Sequence, residues 1–357
     1  MILDRSKKPY SKAELDHIDI KPASAFAPEI PVYNTPISYR ENTNNMFWEK
    51  KLAFAAMGTD TVSANSSIYN EKLGRTIRIN GVPSGLVDVF GVEWTYVPEA
   101  KGSITLGGNP IFEDANDWKE FIKIPDIDEW DWATDAQQNK TLDTRFSIGM
   151  TLVNGFGFER LISHMDFMNA AMALVDEDQW DALHEYLEAM TELGCKIIDK
   201  ICEYNPLLDG IILHDDWGSQ KDPFFSQEVS EGLFLPHLKK LGDHIHSKGR
   251  YFGLHSCGHV EDRIGVFIKA GVDTWQMQRM NNPHKLYEEY GDKIVLQVWP
   301  EEFDVNDEKA AVQAARNFID EYGKPGKPVI MSSRDAVQSR VFVEELYEYS
   351  RKHYLNH

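Results

Sequence analysis

Two short clusters carry side chains able to do chemistry together: His214-Asp215-Asp216 and His255-Ser256-Cys257. If a strand runs through the second, side chains two residues apart point the same way. The His255 imidazole and the Cys257 thiol can then meet one metal ion. Zinc is the natural candidate, being a borderline-soft ion that takes nitrogen and sulfur ligands tetrahedrally. Gly258 follows, which suits a backbone turning tightly against a ligand. The plainer reading makes Cys257 a small buried apolar residue and His255 a hydrogen-bonded core histidine, and H-x-C alone does not decide between the two.

Neighbouring aspartates in an extended segment point to opposite sides. One of Asp215 and Asp216 can enter a pocket while the other caps the following loop. A pocket carboxylate is either a general acid whose pKa burial raises or an oxygen ligand for the same metal. Asp215 and Asp216 are therefore the catalytic candidates, and His255 and Cys257 the metal ligands.

The elements that must position these residues follow from periodicity. From about residue 146, short β-prone runs alternate with helical runs, as parallel βα units do. Strands are predicted at Phe146–Leu152, Gly210–Leu213, Tyr251–Leu254, Val272–Met277, Ile294–Trp299 and Val329–Met331. One or two more are expected before residue 100, where Leu86–Val97 alternates like a strand. Helices are predicted after an Asp176 cap, through Trp180, Leu183, Leu187, Met190, Ile197 and Ile201, and over Phe234–His246, Val260–Ala270 and Asp307–Tyr322. This order predicts an α/β fold, a (β/α)8 TIM-type barrel with an N-terminal extension. Residues 1–45, rich in Pro, Ser, Lys and Asn without a sustained period, read as an arm, and 46–357 as the barrel domain.

In such a barrel the residues just beyond each strand's C-terminal end face the pocket. Here that rim reads Asn154; His214-Asp215-Asp216-Trp217; His255-Ser256-Cys257; Gln276-Met277-Gln278-Arg279; Trp299-Pro300-Glu301-Glu302; and Ser332-Ser333-Arg334. His214, Trp217, Gln276, Gln278, Trp299, Glu301 and Ser333 are the substrate-binding candidates, with Trp217 and Trp299 serving as pocket walls or as core. His164, His184, His237, His244 and His246 lie in helical or loop stretches and read as structural or surface residues.

Composition narrows the partners. The chain has 357 residues and a net charge of −20, which would repel nucleic acid and anionic membrane alike. No run of eighteen apolar residues suggests a membrane span, and the N-terminal residues lack the apolar stretch of a secretory signal. The three cysteines, at 195, 202 and 257, offer no plausible disulfide, since Cys195 and Cys202 lie two turns apart on a predicted helix. A reducing, cytoplasmic setting is expected.

Several stretches resemble the uroporphyrinogen decarboxylase superfamily: Phe90-Gly-Val-Glu-Trp94, Asp215-Asp-Trp-Gly-Ser-Gln220, Pro223-Phe-Phe-Ser226, Leu235-Pro-His-Leu-Lys-Lys240, Leu254-His-Ser-Cys-Gly-His-Val260 and Gly271-Val-Asp-Thr-Trp-Gln276. The resemblance runs from about residue 36 to 350. Decarboxylases of that superfamily carry an arginine-rich segment close to R-Q-A-G-R, whereas Arg5, Arg40, Arg75 and Arg78 are scattered here. The resemblance therefore points to the corrinoid-linked methyltransferase branch, whose zinc sits on an H-x-C pair and a later Cys. His255 and Cys257 match the pair, while Ser332-Ser333 occupies the region of the later Cys, which argues against thiol methylation. What the resemblance implies is transfer of a methyl group from a small O-methyl or N-methyl donor to a corrinoid (cobalamin) protein. The corrinoid, carried by that partner, does the hard step. Decarboxylation of another substrate, or a non-catalytic tetrapyrrole-binding barrel, are the alternatives.

Overall fold

Alternation along the strands decides what fills the barrel. The computed structural model describes residues 7–23, 28–73, 78–79, 82–83, 86–97 and 102–355. Eight strands form one sheet: β1 (Ala56–Met57), β2 (Thr61–Ala64), β3 (Ser147–Leu152), β4 (Gly210–His214), β5 (Tyr251–His255), β6 (Thr274–Gln276), β7 (Val295–Val298) and β8 (Val329–Met331). Their order is β1-β8-β7-β6-β5-β4-β3-β2, and every pairing is parallel. The two ends of this order, β1 and β2, are consecutive pieces of chain joined by the 3-10 turn Gly58–Asp60. The α/β barrel expected from the sequence is therefore present, with its seam bridged by one interrupted strand.

Ile211, Leu213, Phe252, Leu254, Trp275, Leu296 and Met331 belong to the large core beneath the helices. Ala56, Ile212, Tyr251, Val295 and Ile330 form a separate buried cluster with Met46 and Phe47. The two sets alternate residue by residue, so the second lies inside the barrel. Met46 and Phe47 come from the helix Tyr39–Glu49, and Phe47 stacks on Tyr251, the first residue of β5, at 4.0 Å between ring centroids. That helix plugs the N-terminal end of the barrel.

Room for the Tyr251 ring comes from Gly210. A Cβ there would lie 2.1 Å from Tyr251 Cζ, and the stacked Phe47 leaves the ring nowhere to go. Gly210→Ala is expected to destabilise the protein by about 2 kcal/mol or more, the middle to upper range for overpacking a core. A fall in the urea midpoint with an unchanged slope checks this; an unchanged midpoint would show that the ring can move.

Outside the strands lie α1 (Phe158–Ala173), α2 (Trp180–Tyr204), α3 (Leu235–Ser247), α4 (Ile264–Lys269), α5 (Pro283–Tyr290), α6 (Glu308–Tyr322) and α7 (Arg340–Leu355). Leu183, Leu187, Met190, Ile197 and Ile201 bury one stripe of α2. Asp307 caps α6 by accepting from Lys309 N and Ala310 N. The first turn expected for α4 is instead the 3-10 turn Glu261–Arg263. Among the described residues no helix is long and apolar enough to cross a membrane.

Two local expectations are corrected. Leu86–Val97 does not enter the barrel. It splits into Leu86–Val87 and Glu93–Val97, which join Gly102–Thr105 in a three-stranded antiparallel sheet. The break is made by the buried Asp88 carboxylate, which accepts from Phe90 N, Val92 N and Trp94 Nε1 and folds the chain into a turn at Gly91, φ 86°. The N-terminal arm is also more regular than its composition suggests. His17–Lys21 pairs antiparallel with Ile30–Tyr33, and the helix Tyr39–Glu49 runs through residue 45. Glu14 ties this extension to α7, accepting from Tyr347 Oη at 2.7 Å and Arg351 Nε at 3.1 Å.

Candidate metal centre at the barrel mouth

Strand parity assigns the floor of the mouth. One step beyond the apolar interior, the inward positions are Ser63, Thr151, His214, His255, Gln276, Gln297 and Ser332, all half-buried or exposed. Apolar side chains give way to hydroxyl, imidazole and amide within one layer, so the barrel is packed below this level and open to solvent above it.

On this floor β4 and β5 run in register, with His214 opposite His255. Their rings lie 4.6 Å apart at 30°. Asp216, two residues past His214, points the same way: its Oδ1 is 3.8 Å from His214 Nδ1 and 4.0 Å from His255 Nε2. One ligand atom from each of His214, Asp216 and His255 falls within 4.8 Å of the others, a group that could hold a metal ion. Cys257, expected as a ligand beside His255, is not in that trio. Its sulfur lies 3.2 Å from His255 Nε2 and 3.1 Å from the Gln278 amide, and its backbone N–H donates to Asp216 Oδ1 at 2.7 Å. Gln278 also accepts from Gly258 N at 2.8 Å, so one amide holds the whole turn after β5.

The two aspartates divide as their parity requires. Asp215 turns away from the mouth and is only 4% exposed. Its carboxylate accepts from Phe158 N at 3.0 Å, Glu159 N at 2.7 Å and Trp217 Nε1 at 2.7 Å. The first two are free N–H groups of the first turn of α1, so Asp215 caps that helix from a distant part of the chain. Burial, and then the charge of Glu159, push its pKa up to about 7 against the pull of those donors. Glu159, set in place by this cap, reaches back over the floor and bonds His214 Nδ1 at 2.7 Å.

The remaining candidates separate clearly. Gln276 stands on the floor opposite His255. Trp217 is core, packed among Phe225, Phe234 and Phe267. Trp299 is half-buried with the Arg279 guanidinium 5.0 Å above its ring, while Glu301 is exposed. Ser333 Oγ accepts from Ala336 N and so caps the next turn. Asn154 is buried with φ 59°. Glu159, Ser63, Thr151 and Gln297 were not singled out from the sequence, whereas Ser332 was placed on the rim. A polar residue interrupting an apolar strand was the available signal for Thr151 and Gln297, and Glu159 left none.

No protein family and no curated protein matches the chain. Among solved structures it is similar to a methyltransferase from Methanosarcina mazei, with a TM-score of 0.59 and 12% identity over 89% of this chain and 99% of that one. Looser overlays occur with the IOLI protein with a bound zinc atom (TM-score 0.34, 13% identity, 62% of this chain and 84% of that one). A sugar phosphate isomerase/epimerase from Parabacteroides distasonis overlays at a TM-score of 0.28, 13% identity, 62% and 92%. The first likeness is one of fold.

Proposed function

We propose that this chain is a methyltransferase of the uroporphyrinogen decarboxylase superfamily, moving a methyl group from a small O-methyl or N-methyl donor to a corrinoid protein. The observation that carries the reading is the trio His214, Asp216 and His255 on a polar, solvent-open floor. Fold alone would not carry it, because one barrel hosts many chemistries.

The donor set suits a zinc ion. Two imidazoles and a carboxylate, with the Cys257 thiol beside one of them, match the ligands a borderline divalent ion takes. Zinc held there would supply a Lewis acid for the oxygen or nitrogen that the methyl group leaves. The chain's own residues do the rest. Glu159 accepts from His214 Nδ1 at 2.7 Å and so fixes the ring's orientation. Asp215 acts one step back as a positioning residue, holding the start of α1 and with it Glu159. Gln278 orients Cys257. Ser63, Thr151, Gln276, Gln297 and Ser332 provide hydroxyls and amides to orient the donor, and Trp299 forms an aromatic edge for its body. Asp216 lies beside both imidazoles and would face a departing atom held there.

Mixing the protein with a corrinoid partner held as Co(I) and a panel of O-methyl and N-methyl donors tests the reading. Methylated corrinoid, followed by absorbance, is expected with at least one donor. Its absence across a broad panel with a verified Co(I) partner would transfer the assignment to a lyase acting on another substrate.

A further inference from the structure

The helix α1 changes character at Asp166. Before it, Phe158, Leu161 and Met165 are buried. Beyond it, Met168 is 69% exposed, Met172 62%, and Val175, just past the end of the helix, 71%. Their spacing, i, i+4 and i+7, puts the three on one side. Ala170, Ala173 and Leu174 are buried on the other, so this piece is seated on the fold by its inner face. Phe167 and Phe224, both exposed, widen the outer face, their rings 5.1 Å apart.

The break itself is held in place. Asp166 has φ 62°, which a residue with a Cβ rarely adopts, and its carboxylate accepts from Gly108 N at 2.6 Å. From Phe167 to Val175 no residue is charged, in a chain with 37 Lys and Arg and 57 Asp and Glu. The five apolar side chains together expose about 500 Å², taking about 200 Å² for a large side chain fully in water. That is near the upper limit of what a monomer leaves in water.

We infer that this face is the centre of a twofold contact between two copies of this chain. Area and composition select a second copy. Two such faces remove about 1,000 Å² from water, and the polar surface around them brings the total to the roughly 1,200 Å² at which specific interfaces begin. An apolar, charge-free centre is the mark of lasting pairs of like chains, whereas partners that come and go meet through more polar surfaces. A membrane is disfavoured, since Asp176, Glu177 and Asp178 follow the face directly and a net charge of −20 repels anionic lipid. The same three acids set the orientation. An antiparallel crossing lays Val175 of one copy near Phe167 of the other and carries the two acidic ends apart.

Sedimentation equilibrium of the full chain tests this without reference to methyl transfer. A monomer–dimer equilibrium in the range of about 10 μM or below is expected, and added salt should tighten it by screening the like charges. Met168→Glu with Met172→Glu buries unpaired charges in the contact and should weaken association by about 100-fold or more. Val175→Glu alone should weaken it by about tenfold or more. Ile18→Glu with Ile20→Glu, on the N-terminal hairpin where both residues are also exposed, should leave it unchanged. Circular dichroism confirms that each variant is folded. The inference falls if the wild type stays monomeric at about 100 μM, or if the face variants associate as tightly as the wild type does. It falls equally if the hairpin variant dissociates as readily as they do, or if salt loosens the dimer, which would assign the contact to ion pairs elsewhere.

Discussion

Asp216→Asn is expected to fold like the wild type and to lose the proposed methyl transfer to a corrinoid protein by roughly 100-fold or more. Removing even an outer partner of a metal ligand costs about 10- to 100-fold, and removing a general acid about 10²- to 10⁴-fold. Asp216 stands where either loss would be felt: half-buried, on the floor of the mouth, 3.8 Å and 4.0 Å from the two imidazoles. The asparagine oxygen can still accept from Cys257 N, so the turn after β5 keeps its bond while the mouth loses its charge. Initial rates with saturating donor, together with zinc content by elemental analysis, measure both effects on one sample. Rate and zinc should fall together. Zinc retained with the rate lost would make Asp216 the proton donor, and an unchanged rate would remove it from the chemistry. Asp215→Asn is the matching contrast: it sets an amide against the N–H groups of α1 and should cost stability before it costs the chemical step.

Arg160→Met should lower the stability of the fold by about 3–5 kcal/mol, the cost of breaking a buried ion pair by deleting one partner. Arg160 and Asp88 are both essentially inaccessible and lie 3.2 Å apart, and Arg160 Nη2 also donates to the Leu73 carbonyl at 2.7 Å. Methionine fills much of the space but leaves Asp88 charged in the interior, held only by the N–H donors of its own turn. Adding Asp88→Asn to Arg160→Met should restore part of the loss, since the pair is worth less than the penalty for orphaning one member. Chemical denaturation of the four proteins in this cycle gives the coupling directly. Additive losses would show that the two charges do not depend on each other.

The C-terminal strands were legible because each is a short apolar run between turn signals, and β8 was located at Val329–Met331 to the residue. The floor of the mouth was partly legible. His214, His255 and Asp216 follow from strand parity, but parity alone could not say which aspartate faces in. That choice is made by α1, whose unsatisfied N–H groups claim Asp215 from across the chain. Glu159 was invisible for the same reason, since its reach to His214 depends on where Asp215 holds the helix. The helix α1 itself escaped prediction because its periodicity breaks at Asp166, φ 62°, where two helical pieces meet. Tertiary hydrogen bonds, not local preference, set each of these features.

The interrupted strand at the seam bears on how the protein is made. Among the described residues β1 pairs in the barrel with β8 alone, and Glu14 meets Tyr347 and Arg351 in α7. A ribosome releases Glu14 and β1 long before α7 and β8. Until β8 emerges, the strand edge of β1 stays open, exposed to wrong pairing. Closure is thus a late event of high sequence separation, and such contacts form slowly. A nascent chain stalled before residue 329 should therefore remain protease-sensitive in about its first sixty residues and become resistant only once β8 and α7 have both emerged.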